Sequence, residues 1–203
     1  MLPKSYREFA ASIIETLESL GLQYAIGGSF ASSTYGEART TMDIDISIVL
    51  PESEMQRFVE AIQKLGYYVF LDAIVDAMIQ NMPFNIIDSA SGYKADLFLV
   101  EPTPLEQSVL ARSRRVVYDT TTNATAMLYS PEDVIIYKLK YFLMGCSQKH
   151  LRDIGAILVV QGTALDYDYI VHWAQEIGAT EVWNQLLTEY RRASSPSLST
   201  SSS

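Results

Sequence analysis

Asp43 and Asp45, two residues apart in the run "MDIDISIV", are side chains whose type and spacing could do chemistry. A strand sends alternate residues to opposite faces, so both carboxylates share one face while Ile44, Ile46 and Ile48 share the other. Their backbones then stand about 7 Å apart. Two carboxylates drawn to ~4 Å repel by roughly 4 kcal/mol at an effective dielectric of about 20. A cation between them would relieve that repulsion. A strand face in open water would show the same pattern with no partner at all, so the surrounding sequence has to decide.

Upstream, the apolar "QYAI" turns through Gly27 and Gly28 into a short helical stretch from Ser29 to about Tyr35. A helix start leaves backbone N–H groups unpaired and carries the positive end of the helix dipole, which suits phosphate. Glycine lets the backbone approach an anion closely, and the Ser29 hydroxyl adds a donor. An ordinary tight strand-to-helix turn would look the same in isolation. Here, however, the acid pair follows after thirteen residues, and a further lone acid, Asp96, stands among Ala95, Leu97 and Leu99 in "KADLFLV". Three carboxylates on adjacent strands can hold Mg²⁺, which prefers oxygen ligands and commonly bridges protein acids to substrate phosphates. Two such ions would stabilise the attacking and leaving oxygens of an in-line displacement.

Composition narrows the remaining classes. The 203 residues, 48% hydrophobic, suffice for one good core or for one domain with a helical appendage. No run of eighteen or more apolar residues marks a membrane span, so a soluble, non-membrane protein is expected. A single cysteine, Cys146, forms no disulfide within the chain and agrees with a reducing cytoplasm. With only His150 and His172 beside it, a zinc cluster is not expected, and any metal should be held by oxygen. The formal charge of −9 argues against a broad grip on nucleic acid. Arg112, Arg114 and Arg115 leave room for a local basic patch, although such a run is more often a solvated helix end.

The expected fold is α+β. An N-terminal helix with a Ser5–Glu8 capping box ends at Gly21 and belongs to the fold, not to a targeting segment. After "DIDISIVL" comes a helix over Glu52–Leu65, a strand at "YYVF", a helical turn or two at "DAIVDAMIQ", and the hairpin "FNIIDSASGYKADLFLV". The expected sheet domain spans 1–103. A mostly helical region over 104–192 would complete the cleft, interrupted by extended "RVVYD" and "TAML", with helices over Pro131–Gly145, Gln148–Gln161, Asp166–Ile177 and Ala179–Arg192. A Ser-rich tail over 193–203 has almost nothing to bury and reads as disordered.

"GGSFASSTYGEARTTMDIDIS" resembles the signature of the polymerase-beta-type nucleotidyltransferases, and "KADLF" resembles their third-acid strand. Within that superfamily, "RTTMDIDI", the hairpin and "SPEDVIIYKLKYF…HLRDIGAIL" are similar to the AbiEii-type bacterial proteins, many of them toxins of toxin–antitoxin modules. The likeness covers about Gln23 to Leu158. It implies a mixed sheet flanked by helices, with Asp43 and Asp45 as magnesium ligands and Asp96 as third ligand or as base for the acceptor hydroxyl. It places Gly28 and Ser29 on the triphosphate and lets Lys138 reach a substrate phosphate. Lys140 lies about 200° further round the same helix and faces elsewhere. Arg152 and Asp153 match a later basic–acidic segment, near the site or in a supporting salt bridge. Arg39 would pair with the acids, steer phosphate or clamp its own loop. His150 and His172 are not expected to be catalytic, because phosphoryl transfer of this type is mostly positioning and charge neutralisation.

The activity implied is Mg²⁺-dependent transfer of NMP from an NTP to a hydroxyl of tRNA, protein or a small molecule, with a cognate antitoxin as partner in the toxin setting. The alternative is an inactive nucleotide-binding or protein-interaction module of the same fold.

Overall fold

The computed structural model describes residues 6–37, 43–119 and 121–194. Arg39, Ser5 and the tail from 195 onward lie outside the described residues. Two compact units emerge. The first runs through Ser130 except for Tyr35–Glu37; the second takes that short stretch and everything described from Pro131 on.

The first unit is built on a six-stranded mixed sheet. In chain order it contains α1 (Tyr6–Ser19), β1 (Tyr24–Ile26), α2 (Gly28–Tyr35), β2 (Asp43–Ile48), α3 (Glu52–Lys64), α4 (Leu71–Gln80), β3 (Phe84–Asp88), β4 (Tyr93–Leu99), α5 (Pro104–Arg112), β5 (Arg114–Asp119) and β6 (Ala124–Leu128). The strands lie in the order β3-β4-β2-β1-β6-β5. β2 runs antiparallel to β1 and parallel to β4, and β3 and β4 form the expected hairpin. Asp88 closes that hairpin turn by accepting from the Ala90 amide and the Ser91 hydroxyl.

One face of β2 is wholly apolar: Ile44, Ile46 and Ile48 have no exposed surface. Each buried isoleucine stabilises the fold by about 1.5–3 kcal/mol. Ala95, Leu97 and Ile86 from the neighbouring strands are buried as well, as are Phe9, Ile13 and Leu17 of α1 and Phe58 and Ile62 of α3. This packing fixes which way the acids of β2 must point.

Two expectations change. The "YYVF" stretch is no strand: only Tyr68 pairs, exchanging both backbone bonds with Ile87, because α4 begins at Leu71 before more can form. The break between the units falls at Ser130/Pro131 and not at 103/104, since β5 and β6 join the sheet, β6 lying parallel to β1.

The second unit packs α6 (Pro131–Gly145), α7 (Gln148–Gln161), α8 (Tyr167–Glu176) and α9 (Thr180–Ser194). The last helix absorbs Ala193 and Ser194, which the sequence placed in the tail. Trp183, Ile154, Ile157 and Leu158 are buried here. No helix among the described residues is long and apolar enough to cross a membrane.

Candidate active site

The parallel register of β2 and β4 sets Asp45 beside Asp96 and Asp43 beside Lys94. Neighbouring strands stand about 4.8 Å apart, so the three carboxylates share one patch on the face opposite the isoleucines. Lys94 Nζ lies 2.8 Å from one oxygen of Asp96 and 2.9 Å from the other. The amide of Asn85, on β3, donates to the same carboxylate.

Electrostatics tie the patch together. The hydrogen bond to Asp96 holds the Lys94 ammonium above the ordinary lysine value, and the charges of Asp96, Asp43 and Asp45 add to it against a smaller opposing effect of burial. Burial chiefly, and then the same three acids, push the Tyr6 hydroxyl far above its usual pKa. That hydroxyl is buried and finds no hydrogen-bond partner among the described residues.

Part of the cation that the acid pair calls for is therefore supplied by the chain itself. Sequence reasoning passed over Lys94, Asn85 and Tyr6. For Lys94 the signal was present: the two-residue alternation that puts Asp43 with Asp45 also puts Lys94 with Asp96. Nothing in the sequence marks Tyr6, which reaches the acids only through the placement of α1.

Among the described residues, no three His, Cys, Asp or Glu side chains converge closely enough to enclose a metal ion. The donor set nonetheless fits Mg²⁺ in kind, being oxygen ligands on one face of adjacent strands. Asp96 is bonded by both Lys94 and Asn85.

The glycine turn sits directly against the acids. Gly28, the first residue of α2, has φ +57, and a Cβ built on it would lie 1.7 Å from Asp45 Oδ2. Only a residue with no side chain lets the helix start and the carboxylate be this close. The Gly27 amide donates to the Asp45 carbonyl at 2.9 Å, anchoring the turn to β2. A Cβ on Gly27 would stand 3.0 Å from the ring of Tyr129, whose hydroxyl bonds to that of Ser47 on β2. Ser29 follows at the second helical position, its carbonyl accepting from Ser32 and Ser33.

Lys138, Arg152 and Asp153 lie in the second unit. Lys138 Nζ meets Asp153 Oδ2 at 2.6 Å, tying α6 to α7, with 5% and 11% of the side chains exposed. Arg152 is exposed. Breaking a buried pair strands a charge. Lys138→Ala is accordingly expected to destabilise the chain by about 3 kcal/mol, while Lys138→Ala with Asp153→Ala recovers much of the loss. Denaturant unfolding of the four proteins checks this, and an additive result would mean that the pair carries no coupling.

The sequence matches no model of a known protein family, and no curated protein sequence matches it either. Solved structures do match. The antibiotic-resistance factor ANT(2'')-Ia in solution aligns over 91% of this chain and 95% of its own, with a TM-score of 0.52 at 13% identity. This chain has the nucleotidyltransferase fold. A crystal structure of ANT(2'')-Ia in complex with adenylyl-2''-tobramycin aligns over 92% and 97%, at TM-score 0.51 and 14% identity. An antigenic nucleotidyltransferase-like protein from Paracoccidioides brasiliensis aligns over 90% and 92%, at TM-score 0.50 and 14% identity. In this nucleotidyltransferase fold, the Gly28 turn, Asp43, Asp45 and Asp96 all belong to the sheet unit.

Proposed function

We propose that the chain is a magnesium-dependent nucleotidyltransferase, moving NMP from an NTP to a hydroxyl acceptor and releasing pyrophosphate. The observation that supports this most is the contact between Gly28 and Asp45: the place where a helix start can take phosphate is the place where the acids stand. Magnesium bound by Asp43, Asp45 and Asp96 would neutralise charge on the triphosphate. Gly28 and Ser29 would hold the phosphates through backbone N–H groups and the serine hydroxyl. Asp96 would take the proton of the acceptor hydroxyl. The freed oxygen bonds to the α-phosphorus, the bond to the bridging oxygen breaks, and pyrophosphate departs with its electrons.

Of the acceptors open to the sequence, a small molecule is favoured. The −9 charge weakens RNA binding, and the neighbouring ANT(2'')-Ia was seen with adenylyl-2''-tobramycin. The test is label transfer: the full chain with Mg²⁺, each α-labelled NTP, and tRNA, protein and small hydroxyl compounds in separate reactions. Magnesium-dependent label on a small molecule is the expected result. Label on tRNA or protein would turn the reading toward the toxin setting with its antitoxin. Nucleotide binding with no transfer to any acceptor would favour the inactive module.

Lys94 and the ion would compete for Asp96. Lys94→Met is therefore expected to bind Mn²⁺, used as a reporter for Mg²⁺, several-fold more tightly in water-proton relaxation measurements. Unchanged affinity would remove Lys94 from the ion's surroundings.

A further inference from the structure

The acid face does not end at Asp96. β3 is the outermost strand, and its register sets Asn85 beside Asp96 and Ile87 beside Lys94. Tyr68 continues the row by pairing with Ile87. The same face thus passes from charged to apolar as it nears the sheet edge. A groove of about 390 Å³ lies along this edge, its lining including Tyr68, Phe70, Asp76, Met82, Asn85 and Ile87. Small-molecule sites commonly measure ~300–1,000 Å³.

The lining is unusual for a surface. Phe70 is 60% exposed and Met82 59% exposed. Four of the exposed large apolar side chains among the described residues, Tyr68, Phe70, Met82 and Ile87, line the groove together. Scattered singly such residues mean little, but gathered in a groove they mark a binding site. The rings of Tyr68 and Phe70 stand 6.5 Å apart, tilted to one another. Asp76 is the one fixed charge in the lining. Asn85 belongs both to the groove and to the hydrogen bonding of Asp96.

We propose that this groove is the acceptor subsite, taking a small hydroxyl compound with an aromatic or otherwise apolar body and a basic amine. The assignment rests on the transferase reading above. The body lies against Tyr68, Phe70 and Met82, the amine meets Asp76, and the hydroxyl is carried past Asn85 to Asp96. A polyhydroxylated sugar fits poorly, because most of its hydroxyls would lose water without finding partners on this lining.

Binding can be tested without turnover, so its failure is distinct from failure of the transfer reaction. Tyramine serves as the probe and glucosamine as the polar control, each observed by saturation-transfer NMR on the full chain without nucleotide. Tyramine ring signals are expected to saturate, glucosamine signals are not, and Phe70→Ala with Met82→Ala should reduce the tyramine effect at least several-fold. Both side chains are largely exposed, so the variant should fold; Ile87→Asp gives a second, independent lesion. Tyramine binding unaffected by either variant, no tyramine binding, or displacement by glucosamine would overturn the proposal. A dimer in sedimentation that Ile79→Lys makes monomeric would overturn it too, giving the apolar face to a second copy of the chain.

Discussion

Asparagine at position 43 or 45 is expected to slow nucleotidyl transfer by at least about 10²-fold in kcat, the scale on which single electrostatic groups act in active sites. The change keeps the shape of the side chain and removes only its charge. Both positions lie on the face of β2 away from Ile44, Ile46 and Ile48, so the packing that holds the strand is left alone. Melting temperature should move by a few degrees at most. A second readout does not depend on activity. Asp43 and Asp45 both help to raise the pKa of Tyr6, although burial is the larger cause. In either variant, alkaline spectroscopic titration, taken as the difference from the same protein carrying Tyr6→Phe, should show Tyr6 ionising at lower pH than in the parent, yet still above an ordinary tyrosine. Full transfer activity in both variants would strip the acids of their role; an unmoved tyrosine titration would contradict the convergence of charge at Tyr6.

Much of this site was legible because strand alternation is a short-range property. "DIDISI" states its own two faces, and six consecutive residues suffice to put Asp43 with Asp45 and the isoleucines opposite. Helices with uninterrupted apolar stripes and glycine stops were legible for the same reason: α6 and α7 run over the residues that spacing alone assigns. Long-range register was not. Nothing local says that β4 joins β2 in parallel with Asp45 beside Asp96, and that pairing brings Lys94, Asn85 and the third acid together. The strands β5 and β6 were seen as extended, but their place beside β1 depends on Ile26 meeting Leu128, about a hundred residues away. "YYVF" misled because two tyrosines, a valine and a phenylalanine have high strand propensity, whereas propensity reports only fitness for a half-buried pleat. Here the pleat has room for a single bridge, and the rings of Tyr68 and Phe70 are left to line a groove.

The placement of Lys94 changes how the acids should be understood. Three carboxylates on one patch favour positive charge nearby, and the chain places some of its own there. Lys94 supplies one charge, held by the Asp96 pair, and is 44% exposed at its side chain, so it can leave at little cost. An exposed pair of this kind contributes at most about 1 kcal/mol. On the transferase proposal, a lysine held this loosely would give way to the ion.

Gly28→Ala carries the largest structural consequence of any single substitution at the site. An alanine at φ +57 costs about 1–2 kcal/mol relative to its preferred backbone. Its Cβ would also fall 1.7 Å from Asp45 Oδ2 and 2.5 Å from the carboxyl carbon, so one of the two must move. Relief of such overpacking commonly costs a further 1–3 kcal/mol or so, giving a total of about 4 kcal/mol in denaturant unfolding. Asp45 cannot turn to the other face, where Ile44 and Ile46 are fully buried, and the Gly27 amide holds its carbonyl in place. The strain must therefore be released either by swinging the carboxylate across the strand face or by lifting the start of α2. Either movement parts the phosphate-binding turn from the acid patch, and transfer should fall as far as in the asparagine variants even at temperatures where the protein stays folded. Gly27→Ala is the control: its Cβ would meet only the edge of the Tyr129 ring at 3.0 Å, so a milder loss of stability and activity is expected. Equal behaviour of the two alanine variants, or a Gly28→Ala protein as stable and active as the parent, would mean that the helix start and Asp45 do not meet in solution as they do here.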